Sequence, residues 1–227
     1  MVIIGINPIF VVRFVIRMRR QFRTYQEAPL THSLVCEALF EYARPNDKIC
    51  EMVRSGELIS LRRGLYVPGP ELDLPQPHLF VSANNLRGPS YISLETALSY
   101  WNMIPERVYE ISSVTTRTSR DFDTPIGRFT FQRLPLPYYA HGIQRIELAP
   151  QQFALIAVPE KAICDKIVLT SGVILRSVPQ TMDFLVEDLR IEEEQLGQLH
   201  TTMIQDWLES APKRSSLRML INTLERL

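Results

Sequence analysis

The sequence predicts an α+β fold in two parts, on three features. Two amphipathic helical segments stand in tandem ahead of an arginine-tipped pair of strand segments. A proline-rich stretch then breaks the chain. Beyond it, strand and helix signals alternate before a helical tail.

The chain of 227 residues has room for one large domain or two modest ones, each with its own core. Apolar residues make up 45% and charged residues 22%, which excludes global disorder. Net charge is zero, so no bulk basicity announces nucleic acid. The distribution is uneven: residues 1–70 carry ten Lys/Arg against six Asp/Glu, and the remainder carries fifteen against nineteen. A basic front and an acidic rear imply different partners. Cys36, Cys50 and Cys164 are an odd, sparse set, as expected of reduced thiols in a cytoplasmic protein rather than a disulfide scaffold.

Residues 1–21 form an apolar and then basic segment. Its apolar run is shorter than the roughly 20 residues a bilayer-spanning helix needs, and Pro8 and Arg13 interrupt it, so no membrane partner is expected. A packed helix or strand, a basic membrane-surface segment, and an upstream start with Met18 as the natural one remain open.

Residues 31–43 read as a helix, with Thr31 as N-cap and Leu34, Val35, Ala38, Leu39 and Tyr42 along one stripe. Pro45 stops it. A second helix follows with Asn46 as its cap, Ile49, Cys50, Met52 and Val53 inward, and Gly56 as a left-handed C-terminal cap. Residues 57–67 are strand formers, with Arg62-Arg63-Gly64 at a hairpin tip. Four prolines within residues 68–77 cannot lie inside a helix or a central strand, and predict a stiff, extended linker over 69–77.

The rear, residues 78–227, begins with a strand end at Tyr91-Ile92 and a helix from Ser93 to about Trp101. Residues 108–116 and 128–134 read as strands joined by a polar connection over 117–127. Shorter strand signals stand at 146–148 and 153–158. Pro159 then opens an amphipathic helix with Ile163, Ile167 and Val168 inward. Beyond residue 180 the pattern is helical.

Two tandem helices followed by a hairpin over residues 22–68 make the pattern of a winged helix-turn-helix. The second helix can enter a major groove with its N-terminal end at base edges. Asn46 can read adenine and Arg54 guanine, Arg44, Arg62 and Arg63 can pair with phosphates or reach the minor groove, and Lys48 joins them as a DNA-binding residue on the outward face of the helix. Asp47 and Glu51 on the same helix would repel phosphate, and winged helices also serve as protein–protein modules.

Three segments carry a resemblance to a known family. Lys48-Ile49, Gly56-Glu-Leu-Ile59 and Arg63-Gly-Leu-Tyr-Val67 are the first; residues 92–106, ending in Ile104-Pro105-Glu106, are the second; Val158-Pro-Glu-Lys-Ala-Ile-Cys-Asp165 is the third. In this order they resemble AbiEi-type abortive-infection antitoxins over most of residues 45–170. That resemblance implies a transcriptional autorepressor that binds a repeated or palindromic operator in its own promoter. It also implies an antitoxin that counteracts a nucleotidyltransferase toxin of the same operon, as a functional partner that need not bind it directly.

Enzyme readings find less support. Neither a G-x-S-x-G elbow nor a phosphate-binding glycine loop occurs, and His32, Cys36 and Cys50 lack a fourth zinc ligand at suitable spacing. Glu160, Lys161, Asp165 and Lys166 suggest a metal-dependent nuclease, but Glu160 and Asp165 diverge on a helix, and Glu160 suits a first-turn position. No catalytic residue, metal or cofactor is expected.

Overall fold

A computed structural model of the chain describes Phe22 and residues 27–227, residue 107 excepted. The alternatives for residues 1–21 lie outside the described residues. The fold is mixed α+β, built on two hydrophobic cores.

The front contains β1 (Leu30–Thr31), α1 (His32–Ala38), α2 (Pro45–Ser55), β2 (Leu58–Arg62) and β3 (Leu65–Pro68). The strands form an antiparallel sheet in the order β1-β3-β2, with Leu30 opposite Tyr66 and Ile59 opposite Val67. Thr31 caps α1 as expected, its hydroxyl accepting from the Leu34 amide at 3.4 Å. α1 ends earlier than its apolar stripe suggests. The Leu39 amide is shared between the carbonyls of Val35 and Cys36, each at 3.1 Å, and this tightened turn closes the helix.

Pro45 opens α2 rather than merely stopping α1. It occupies the first helical position, where its missing N–H costs nothing, and Arg44 rather than Asn46 is the cap residue. Asp47 in the first turn and Arg54 in the last complement the helix dipole, and Gly56 ends the helix at φ 81°. Ile49 and Met52 are buried, but Cys50 and Val53, expected inward, are exposed. The body meets α2 along one narrow line of i, i+3 residues, and the next residue round lies 100° away, on the solvent side.

The hairpin is shared between the cores. Leu58 and Tyr66 pack into the front core with Ile49 and Met52, whereas Leu61, Leu65 and Val67 pack into the rear core. This follows from side chains alternating across a strand, shifted once by a bulge between Ser60 and Arg62.

The proline-rich stretch is a packed strap rather than an open spacer. Gly69 donates to the Glu57 carbonyl at 2.8 Å, and a Cβ there would sit 2.0 Å from the Gly56 carbonyl oxygen, so only glycine permits the approach. Pro70–Leu72 form a 3₁₀ turn, and Leu72 and Leu74 are buried in the front core. The prolines make this feasible, since they present fewer N–H groups in need of partners.

The rear begins with α3 (Leu79–Leu86), which the sequence reading does not contain. It continues through β4 (Ser90–Ile92), α4 (Leu94–Tyr100), β5 (Glu110–Thr115), β6 (Arg120–Thr124), β7 (Gly127–Arg133), β8 (Ile143–Ala149), β9 (Gln152–Ala157) and α5 (Pro159–Leu169). Six strands form one sheet in the order β6-β7-β5-β4-β9-β8. β5 runs parallel to β7, and β4 parallel to β9; the other neighbours are antiparallel. The expected polar connection over 117–127 is therefore in part a strand, β6. As an edge strand it buries little and carries charge instead of apolar alternation. The tail packs as α6 (Val178–Met182), a π-helical turn over Asp183–Asp188, α7 (Glu193–Leu196), α8 (Thr201–Leu208) and α9 (Arg214–Leu224). None of the described helices is long and apolar enough to cross a membrane.

Candidate nucleic-acid interface

α2 and the β2–β3 tip form one exposed edge of the front. Arg44 is exposed and lies 3.7 Å from Asp47. Asn46 is exposed, with its side-chain oxygen 3.8 Å from the Cys36 sulfur, and Arg54 is exposed in the last turn of α2. Lys48 departs from its expected outward pose. Its ammonium donates to Glu51 at 2.8 Å, lies 5.7 Å from the Tyr42 ring centroid, and leaves the side chain only 17% exposed. Burial tends to lower its pKa, but the Glu51 hydrogen bond and the neighbouring Tyr42, Glu51 and Glu57 charges raise it overall. Lys48 is thus held charged and partly spent within the protein.

The two arginines of the hairpin tip diverge. Arg63 joins Asn46, His32, Cys50 and Tyr66 around a cleft of about 420 Å³ between α2 and the hairpin tip. Arg62 turns toward the rear, where its Nε donates to the Leu86 carbonyl at 2.9 Å and its Nη1 to the Arg63 carbonyl at 3.2 Å. Among the described residues neither Arg62 nor Arg63 is ion-paired. Gly64, at φ 78°, lets the tip turn tightly enough to present both.

The other charged cluster of the sequence, at the start of α5, is largely internal. Lys161 and Asp165 are fully buried and paired at 2.7 Å. The second Asp165 oxygen accepts from the Tyr91 and Ser93 hydroxyls, each at 2.8 Å. Lys161 also donates to the Tyr138 carbonyl at 3.2 Å and stands 3.3 Å from that ring's centroid. Burial first, then Asp165, pushes the Tyr91 and Tyr138 phenols well above their ordinary range. Glu160 is buried and accepts from the His200 amide at 2.9 Å. Both Asp165 oxygens and one Glu160 oxygen are therefore committed within the fold. The cue in the sequence was the i, i+4 spacing of Lys161 and Asp165, a helix ion pair. His32 and Cys36 approach to 3.4 Å. Among the described residues no three His, Cys, Asp or Glu side chains converge as metal ligands.

The sequence reading misses Arg87, Arg117 and Arg120. They join Arg62 and Arg63 around a polar groove of about 600 Å³ where the hairpin meets the rear. The cue was weak: these arginines lie in what read as connections.

No family model matches the chain, and no curated protein matches it. Among solved structures, the crystal structure of the Rv2827c protein from Mycobacterium tuberculosis is similar with a TM-score of 0.51 at 16% identity, covering 94% of this chain and 81% of that one. At that identity the likeness concerns the fold alone.

Proposed function

We propose that this chain is a DNA-binding transcriptional autorepressor and an antitoxin that counteracts a nucleotidyltransferase toxin encoded in the same operon. One observation carries the DNA-binding half: α2 and the tip of a β1-β3-β2 sheet share an exposed edge, as in a winged helix-turn-helix. In this reading α2 enters the major groove. Asn46 and Arg54 contact base edges, and Arg44, Arg62 and Arg63 take phosphates or the adjacent minor groove. Lys48 contributes less, because reaching DNA means leaving Glu51. The antitoxin half rests on the resemblance of the three segments to AbiEi-type proteins, and is assigned to residues 78–227.

The test is fluorescence anisotropy with the duplex immediately upstream of the chain's own operon, against a scrambled duplex, across a salt series. Preference for the upstream duplex is expected. Replacing Arg62 and Arg63 with Ala should flatten the dependence of log K on log salt by about 2, at roughly 0.9 per phosphate contact. Equal binding to both duplexes would sink the repressor half. The neighbouring nucleotidyltransferase gene, co-expressed, tests the other half: growth should be restored by the chain and equally by its Arg62→Ala/Arg63→Ala form.

A second reading has one observation in its favour. Cys50 and Val53 are exposed on α2 beside the acidic Asp47 and Glu51, a surface that suits a protein partner better than phosphate.

A further inference from the structure

We propose that the cavity at the start of α5 binds a small alkylguanidinium ligand, its planar cation on Glu160 and its aliphatic stem along a methionine-lined wall. The inference goes beyond the DNA-binding and antitoxin readings and depends on neither.

The cavity holds about 350 Å³ between the end of α4, the start of α5 and the segment that joins α7 to α8. Among the described residues that line it, Glu160 is the one acid, and there is no lysine or arginine. Glu160 is only 4% exposed. Its Oε1 accepts from the His200 amide at 2.9 Å, but among the described residues Oε2 accepts no hydrogen bond. Glu160 follows Pro159 in the first turn of α5, where Val158 supplies no side-chain cap and the helix dipole favours a carboxylate. One N–H and a dipole answer half of this group. A carboxylate so buried calls for a positive charge that brings its own N–H donors. Lys161, next in the chain, does not supply it, because its ammonium is paired with Asp165.

The walls select the shape of the cation. The Trp101 indole N–H donates to the Ala157 carbonyl at 2.8 Å, and the Tyr100 ring packs edge-on against the indole with centroids 4.9 Å apart. With its polar edge engaged, Trp101 offers the cavity its π surface, which attracts a flat cation. Met103, Leu199 and Met203 form an apolar, adaptable wall for an aliphatic stem. The Gln195 amide nitrogen donates to the Asn102 carbonyl at 2.8 Å, which leaves the amide oxygen for a ligand N–H. A guanidinium has parallel N–H donors for the carboxylate and a face for the indole, whereas an ammonium has neither. A phosphate-bearing ligand would meet Glu160 with no lysine or arginine to offset it.

The probe is n-butylguanidine, with n-butylamine and guanosine as comparators, in titration calorimetry and tryptophan fluorescence of the full chain. Saturable binding of n-butylguanidine with a change in tryptophan emission is expected, and n-butylamine should bind at least roughly tenfold more weakly. Glu160→Gln keeps the shape and the acceptor for His200 but removes the charge, and should weaken binding roughly 10- to 100-fold. Gln198→Arg places a cation at the exposed rim, where the fold is not at stake, and should weaken it on the order of tenfold. Glu37→Gln, an exposed acid on α1, should bind like the unaltered chain. Should Glu160→Gln fail to fold, Gln198→Arg decides alone. Unchanged affinity in the cavity variants overturns the inference, as does absence of n-butylguanidine binding. Equal affinity for n-butylamine overturns the guanidinium assignment, and guanosine binding without n-butylguanidine binding gives the cavity to a neutral base and overturns it too. Duplex binding should be the same in the unaltered chain and in Glu160→Gln, so any of these failures leaves the repressor reading standing.

Discussion

At Lys161 a full positive charge sits where no solvent reaches it, and the surrounding atoms explain why it stays. Asp165 at 2.7 Å, the Tyr138 carbonyl and the face of the Tyr138 ring occupy its surroundings, while the Tyr91 and Ser93 hydroxyls satisfy the other end of Asp165. Burial pulls the Lys161 pKa down and Asp165 opposes the fall, so the pair stands or falls together. Even the backbone is arranged around it. Gly142 has φ 65°, and a Cβ there would sit 2.7 Å from the Lys161 Cβ. A buried pair adds little beyond what apolar side chains of the same shape would supply, but a buried charge without its partner is severely destabilising. Lys161→Met and Asp165→Asn should therefore each cost about 3–5 kcal/mol in urea denaturation. The double variant should lose clearly less than the sum. Strict additivity would mean that the two charges are not coupled, contrary to their geometry.

Element boundaries turn on local chemistry of the same kind, and α3 shows how. His78 precedes it, and its Nδ1 accepts from the Phe80 amide at 3.1 Å, a capping role that requires the ring nitrogen to be unprotonated. Desolvation lowers the His78 pKa in the fold. As pH falls through the ordinary histidine value of about 6.5, the unfolded chain takes up the proton before the folded one does. The stability contribution is therefore complete above that pH, and is lost as pH falls from there toward the lowered folded value. Thermal unfolding between pH 7.5 and 5.5 should show a modest decline, modest because His78 is at the surface. His78→Asn, which can cap but does not titrate, should reduce that decline; an equal decline in both forms would remove His78 as its source. The same residue accounts for the absence of α3 from the sequence reading, since histidine is not an ordinary cap signal and Pro75 and Pro77 beside it argue for a loop. The front was more legible, because Thr31, Pro45, Gly56 and the Arg62-Arg63-Gly64 tip are strong local punctuation. What stayed hidden lay across segments: β6 lacks an apolar face, and the arginine groove gathers side chains up to 58 positions apart, from Arg62 to Arg120.

Across the whole molecule, the decisive arrangement is a hairpin that serves two cores. Burying Leu61, Leu65 and Val67 against the rear is worth about 1.5–3 kcal/mol for each side chain. Together they match the marginal stability of a small domain, on the order of 5 kcal/mol. The front therefore gains as much from the rear as a domain of its size typically holds in total. The strap adds to the coupling, because Leu72 and Leu74 return to the front core after the hairpin has turned toward the rear. Front and rear should then unfold as one unit. Trp101 and Trp207 both report on the rear, and a dye on the exposed Cys50, in a Cys36→Ser background, reports on the front. In urea the two signals should share one midpoint and one slope. Loss of the Cys50 signal at distinctly lower urea would mean that the hairpin's rear face does not bind the two parts. The groove would then be a hinge, and Arg62 and Arg63 would not be held in fixed register with Arg87, Arg117 and Arg120. A single transition instead holds the five guanidiniums of the groove in one fixed arrangement across the front and the rear.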